Sequence, residues 1–219
     1  KALFQTSEHL EARYFYLPDG KLTRTELGQK QIQGTDYAYT LQGWLKDING
    51  YRTDINTDIG KDGNTTVVIN RNFARDAAAL MLQYNPNDYI PIAGTNSHNL
   101  VKTGISSLFN GNISALSANT FGENPLLKVF RYDKLNRIKR MQTATLSGSN
   151  WGTLTNNYAT AYTYDYNGNI TSLHRNSETA QSLHNIGYQY NNANNRLNSI
   201  TATGIHSSTY TYDPIGNLT

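Results

Sequence analysis

Three aspartates, Asp133, Asp165 and Asp213, recur in one phrase, "RYDKLN", "TYDYNG" and "TYDPIG". A glycoside hydrolase needs carboxylates in pairs, one as acid and one as base or nucleophile. The setting of these three argues for another job. Asn136, Gly168 or Gly216 follows each by three residues, and an Asp in that place bonds the backbone of a turn. A second acidic stretch, "DINTDIGKDG" (54–63), spaces Asp54, Asn56, Asp58 and Asp62 like an oxygen-rich calcium loop. That loop requires Gly at its sixth position and Glu at its twelfth; Ile59 and Thr65 stand there. Residues 54–62 therefore read as a solvated polar loop, and no metal site is assigned. His9, His98, His174, His184 and His206 fit no zinc spacing, and neither a nucleophile elbow nor a Walker-type glycine loop is present. No catalytic or cofactor-binding residue is assigned either, and the expectation is a chain that is not an enzyme.

The basic run "KVFRYDKLNRIKR" (128–140) suggests phosphate binding at first sight. Strand alternation puts Arg131, Asp133, Arg137 and Lys139 on one polar face, so it reads as a solvated face, with no nucleic-acid partner. Trp44, Trp151 and the many tyrosines offer flat rings on which sugars stack, which keeps a glycan-binding role open beside a structural one. Composition points to turn-rich β-structure. Of 219 residues only 37% are hydrophobic, yet there are 16 Tyr and 17 Gly, with abundant Asn and Thr. Tyr and Thr favour strands, and Asn and Gly favour tight turns. A net charge of +3 with many aromatics is not a disordered composition. The absence of cysteine excludes disulfides and thiol chemistry. No apolar run is long enough to cross a membrane as a helix. The opening "KALFQTSEHL" lacks an initiator Met, and the chain stops at "YDPIGNLT" inside a repeated phrase. It reads as a segment of a longer protein.

The elements that hold these residues come from the repeat. With the second Tyr as position zero, the phrase has Tyr at minus two, Asp at plus one, Gly or Asn at plus four, and Leu or Ile at plus six. Clear copies centre on Tyr132, Tyr164 and Tyr212; Tyr16 and Tyr39 head looser ones; Tyr190 heads "YQYNNANNRL", with an extra residue before Leu197. "SLFNGNIS" (107–114) aligns as another, with Ser107 in place of the leading Tyr. Position plus four holds Gly20, Gly43, Gly111, Asn136, Gly168, Asn194 and Gly216, the residue types that enter the left-handed region at least cost. A type I turn followed by a left-handed residue makes a three-residue hairpin with a bulge. That geometry predicts position zero opposite plus six: Tyr16 with Leu22, Tyr39 with Leu45, Tyr132 with Ile138, Tyr164 with Ile170, Tyr190 with Leu197 and Tyr212 with Leu218. Ile113 takes the same place in the 107–114 copy. Asp133 would face Arg137. A two-residue Asn167-Gly168 turn would instead throw Tyr164 and Ile170 onto opposite faces. Since a lone hairpin is marginal in water, such units cohere only side by side.

Tyr-Asp dipeptides followed by Gly or Asn and then Leu or Ile resemble the YD repeats of RHS proteins. "YTLQGWLKDING" (39–50) and "SLFNGNISAL" (107–116) particularly resemble RHS-type proteins of Bacteroidetes-like bacteria. The resemblance covers most of the chain, strongest over 10–50 and 107–219. It implies an all-β fold in which consecutive antiparallel hairpins form a curved, spiralling sheet, part of a hollow shell. It also implies a secreted or cell-surface protein whose partners are the rest of its own RHS chain and an enclosed C-terminal toxin or, alternatively, surface glycans. The cores of this family often end in a self-cleavage signature resembling "PxxxYDPxxGRFLSxDPxG". "YDPIGNLT" matches only its opening, so no protease residues are carried over. The expected organisation is one RHS segment over 1–219, with repeats over 1–50 and 106–219 and an irregular insertion over 51–105. Within the insertion, "FARDAAALMLQYN" (73–85) suits a helical face through Phe73, Ala77, Leu80, Met81 and Tyr84. Leu80, Leu82 and Tyr84 also alternate, and the strand reading is preferred.

Overall fold

Short runs of Tyr, Thr and Ile between Asn- and Gly-containing turns give strands. The computed structural model describes residues 9–86, 88–90 and 104–219, and among them the regular structure is fourteen antiparallel strands. The chain folds as two compact units. One runs to Leu127 and takes in Thr145–Trp151; the other comprises Lys128–Ala144 and Gly152–Thr219. Within each, strand order follows chain order, as expected of hairpins laid side by side.

The first unit contains β1 (Ala12–Tyr16), β2 (Leu22–Leu27), β3 (Gln33–Tyr39), β4 (Leu45–Ile48), β5 (Ala78–Gln83) and β6 (Ala115–Thr120). Residues 78–83 form a strand despite their alanines. Met81 pairs with Asp47 on one side and Ser117 on the other and is fully buried. A helix would have buried only one stripe of this segment, whereas Ala79, Met81, Leu82 and Gln83 are all covered.

One face of this sheet carries Arg24 opposite Asp36, Ala38 opposite Asp47, and then Met81 and Ser117 across β5 and β6. All six are buried. The segment between β4 and β5 lies against that face. Thr53 N donates to Asn119 Oδ1 at 2.8 Å, Ser117 Oγ to the Tyr51 carbonyl at 2.9 Å, and Asn49 Nδ2 to the Ala78 carbonyl at 3.1 Å. Here the sequence expectation is corrected. Residues 54–62 are no solvated loop: Thr57, Asp58 and Asp62 are buried, Asp62 at 1% exposure. The face they cover is itself polar, so polar groups are what it can pair with.

The second unit contains β7 (Leu126–Tyr132) from Lys128 on, β8 (Ile138–Ser147) up to Ala144, β10 (Thr155–Tyr164), β11 (Ile170–Asn176), β12 (Ser182–Tyr190), β13 (Leu197–Thr203) and β14 (Ser208–Thr209). The short β9 (Asn150–Trp151) pairs with the end of β8 and belongs to the first unit, where the Trp151 ring meets Tyr51 edge-on at 6.4 Å. Burial in the second unit is sparse: among the described residues its buried apolar side chains are Val129, Ala144, Ala159 and Ile186. Its cohesion rests on the strand ladders and on what joins one hairpin turn to the next.

Candidate functional site

The turn is the smallest element to carry function. In the Tyr164 copy, Gly168 N donates to the Asp165 carbonyl at 3.2 Å, and Asp165 N to the Asn169 carbonyl at 3.0 Å. Tyr164 stands opposite Ile170, with the register shift of a bulge beside it. The same two backbone bonds occur at Asp133 with Asn136 and Arg137, and at Asp213 with Gly216 and Asn217. Tyr212 bridges to Leu218, Tyr16 pairs with Leu22, Tyr39 with Leu45, and Tyr190 with Leu197. Gly20, Gly43, Asn136, Gly168 and Gly216 are left-handed, with φ from 62° to 100°.

Two copies depart from the phrase. In the Tyr190 hairpin the left-handed residue is Asn195, not Asn194, because the extra residue widens the turn: Asn195 N donates to the Asn191 carbonyl at 2.8 Å. In the 107–114 copy Gly111 is left-handed, but neither it nor Ile113 lies in a strand. Leu108 N donates instead to the Tyr84 carbonyl, and Gly111 lies against the Trp44 indole, whose ring meets Tyr84 at 4.9 Å. This copy is a loop that seats an aromatic pair.

Each repeat aspartate is spent on its own turn. Asp213 Oδ1 accepts from the backbone of Ile215, Gly216 and Asn217, and its Oδ2 accepts from Asn217 Nδ2. Asp165 accepts from Asn169 N and Nδ2. Asp133 accepts from Leu135 N, Arg137 N and Arg137 Nε, the last at 2.7 Å. The Asn169 side chain and turn amides hold Asp165 below the usual carboxylate range, and the Asn217 amide with its neighbours does the same for Asp213. For Asp133, desolvation works upward, but the Arg137 bonds outweigh it and lower the group. A carboxyl fixed in the ionised form is a poor general acid.

Sequence reasoning missed how turns link to one another. Arg137 is not simply on a solvated face. Its guanidinium lies 4.4 Å from the Tyr164 ring centre and Nη1 donates to the Asp165 carbonyl at 3.1 Å, while the Tyr164 hydroxyl donates back to the Ile138 carbonyl at 2.6 Å. The arrangement recurs: Arg196 lies 5.4 Å from the Tyr212 ring, its Nη1 donates to the Asp213 carbonyl, and the Tyr212 hydroxyl donates to the Leu197 carbonyl. Between these, Asn169 Nδ2 donates to Asn195 Oδ1 at 2.6 Å. The residue just before the plus-six aliphatic is thus a clasp, in which one turn grips the next. Its signal in the sequence is Arg137, Asn169 and Arg196 at that slot, side chains with N–H donors where any polar residue would satisfy alternation.

The first unit holds a second cluster, also unforeseen. Arg24 Nη2 donates to Asp62 Oδ1 at 2.8 Å, Nη1 to Asp36, and Nε to Glu26 Oε1 at 3.0 Å, while the Phe73 ring lies 4.6 Å from the guanidinium. Asp58 accepts from Gly60 N and Asp62 N. Asp76 accepts from Gln33 Nε2 at 3.4 Å and also lies within hydrogen-bonding reach of the Asp58 carboxyl. Gly60 passes so close to Asp36 and Arg24 that a methyl group there would overlap both. Among the described residues no acidic or histidine group has the geometry of a metal site.

The first unit also has a cavity of about 680 Å³, with Tyr37, Tyr39 and Tyr89 in its wall, Leu41 and Ile90 at its rim, and Asp19 and Lys21 as its charged lining beside Asp88. Asp88 is committed elsewhere, to Lys46 Nζ at 2.7 Å in a fully buried ion pair.

The fold and its clasped turns define a class: an all-β chain of consecutive antiparallel hairpins. No family model matches the sequence, and no curated protein does. Among solved structures the chain is similar to the crystal structure of TcdB2-TccC3 without its hypervariable C-terminal region. The TM-score is 0.26 and the identity 12%, over 91% of this chain and 12% of that one.

Proposed function

We propose that the chain is a non-enzymatic structural segment of a secreted or cell-surface RHS/YD-repeat protein, forming part of a β-shell that encloses a toxin or other cargo. The observation that carries the reading is the clasp. Arg137 with Tyr164, and Arg196 with Tyr212, join each turn to its successor through side chains and backbone carbonyls rather than through a shared apolar core. A wall can be extended that way, one hairpin at a time, without thickening. The test is to express the gene that encodes this chain together with its flanking regions and challenge the product with protease. The reading expects a region outside these repeats to survive inside an intact wall, visible by electron microscopy. Equal digestion of intact and detergent-opened protein would sink it.

The cavity lined by Tyr37, Tyr39 and Tyr89 favours a second reading, a glycan-binding adhesin, because ring faces beside polar groups suit sugars. Binding on a glycan array that disappears in Tyr39→Ala supports this alternative; an array with no signal removes it.

A further inference from the structure

The Arg24 cluster has more acid than its one guanidinium can balance. Arg24 and Glu26 come from β2, Asp36 from β3, Asp58 and Asp62 from the covering segment, and Asp76 from the approach to β5. Beyond them Arg13 reaches Glu26, at 3.7 Å. Two carboxylate oxygens here, Asp62 Oδ2 and Asp76 Oδ2, are buried and receive no donor among the described residues, on side chains of residues only 1% and 4% exposed. Asp58, within reach of Asp76, already has both oxygens occupied by backbone amides. Two carboxylates that share a buried site repel unless one is protonated, and an unpaired buried charge is costly. A proton on Asp76 removes the charge and turns a repulsive pair into a hydrogen bond.

We infer that residues 54–76 form a proton-held latch on the β2–β3 hairpin, closed with protons on Asp76 and Asp36 and released when those protons leave. Burial, followed by the neighbouring Asp58 and Asp62, raises Asp76 to about 8. Burial, opposed by Arg24 and reinforced by Asp62 and Asp58, raises Asp36 to about 7. When the segment opens, Asp76 leaves the cluster and Asp36, on β3, is uncovered to water, and both return to the ordinary carboxylate value of about 4. Between those limits the closed form holds the extra protons. Closure is therefore strongest in mild acid and weakens as pH rises through 7 and 8.

Hydrogen exchange of the 219-residue chain, followed in peptides covering 54–76 from pH 5 to 9 and corrected for intrinsic amide rates, reads the latch directly. Each proton taken up on closing changes the opening equilibrium by about tenfold per pH unit. With two, the logarithm of the opening constant should rise with pH at a slope approaching about two between pH 5 and 7 and level off above 8. Asp76→Asn keeps the size and supplies a permanent N–H donor toward Asp58; it should reduce the slope to about one. Peptides over the Asp165 and Asp213 turns, whose carboxyls are already ionised in this range, should show no such trend. A flat profile in the unaltered chain overturns the proposal, as does an unchanged slope in a folded Asp76→Asn. Should that variant not fold, the slope of the unaltered chain decides alone.

Discussion

Two residues show how little slack the fold has. Gly168 has φ of +91° with open space around it, so a methyl group there meets only its own backbone. Gly168→Ala should cost about 1–2 kcal/mol in denaturant unfolding. Lys46 sits at the other extreme. Its ammonium is fully buried, and burial lowers its pKa despite the attraction of Asp88. Lys46→Met leaves Asp88 charged and unpaired, a loss of about 3–5 kcal/mol in the same measurement. Adding Asp88→Asn should recover part of it, because an amide brings no charge and still accepts from Tyr84 N, as Asp88 does now.

Among elements, the hairpin is the unit and the clasp couples one to the next. Removing the Arg137 side chain forfeits its interaction with the Tyr164 ring and its bond to the Asp165 carbonyl, and also its surface ion pair with Asp133, which adds little in water. Arg137→Ala should cost about 1–2 kcal/mol, as an exposed cation–π contact and one hydrogen bond together are worth about that. A double-mutant cycle with Tyr164→Leu should return a coupling of at least about 0.5 kcal/mol. Zero coupling would mean that neighbouring turns stand independently. Arg137→Lys should not restore the coupling, since an ammonium has no planar fork to lie on the ring while donating to a carbonyl.

Across the whole molecule, carboxyl groups fall into two populations with opposite responses to pH. The turn aspartates Asp133, Asp165 and Asp213 are lowered, so their contribution is present above about pH 4 and is lost in stronger acid. The cluster aspartates Asp36 and Asp76 are raised, so theirs is largest in acid and is lost above 7 and 8. Residue-level exchange across pH 2–9 should therefore show the 165–169 and 213–217 turns loosening at the acid end and the 54–76 segment at the alkaline end. A common pH profile for both regions would contradict the separation.

Turn chemistry was written in the sequence because it is local. Asp, a left-handed Gly or Asn, and the Tyr-to-aliphatic spacing all act within seven consecutive residues, and a strand's period of two then fixes which side chains share a face. Hence Tyr164 opposite Ile170 could be read from letters alone. The extra residue in the Tyr190 copy was legible too, though not that it moves the left-handed position to Asn195. What tertiary structure decided lies between distant residues. Arg24 and Asp62 are 38 positions apart, and nothing in "DINTDIGKDG" says that it faces a buried guanidinium rather than water. Burial converts the same aspartates from a solvated loop into a cluster short of positive charge, because the cost of a carboxylate depends on surroundings that only the folded chain supplies.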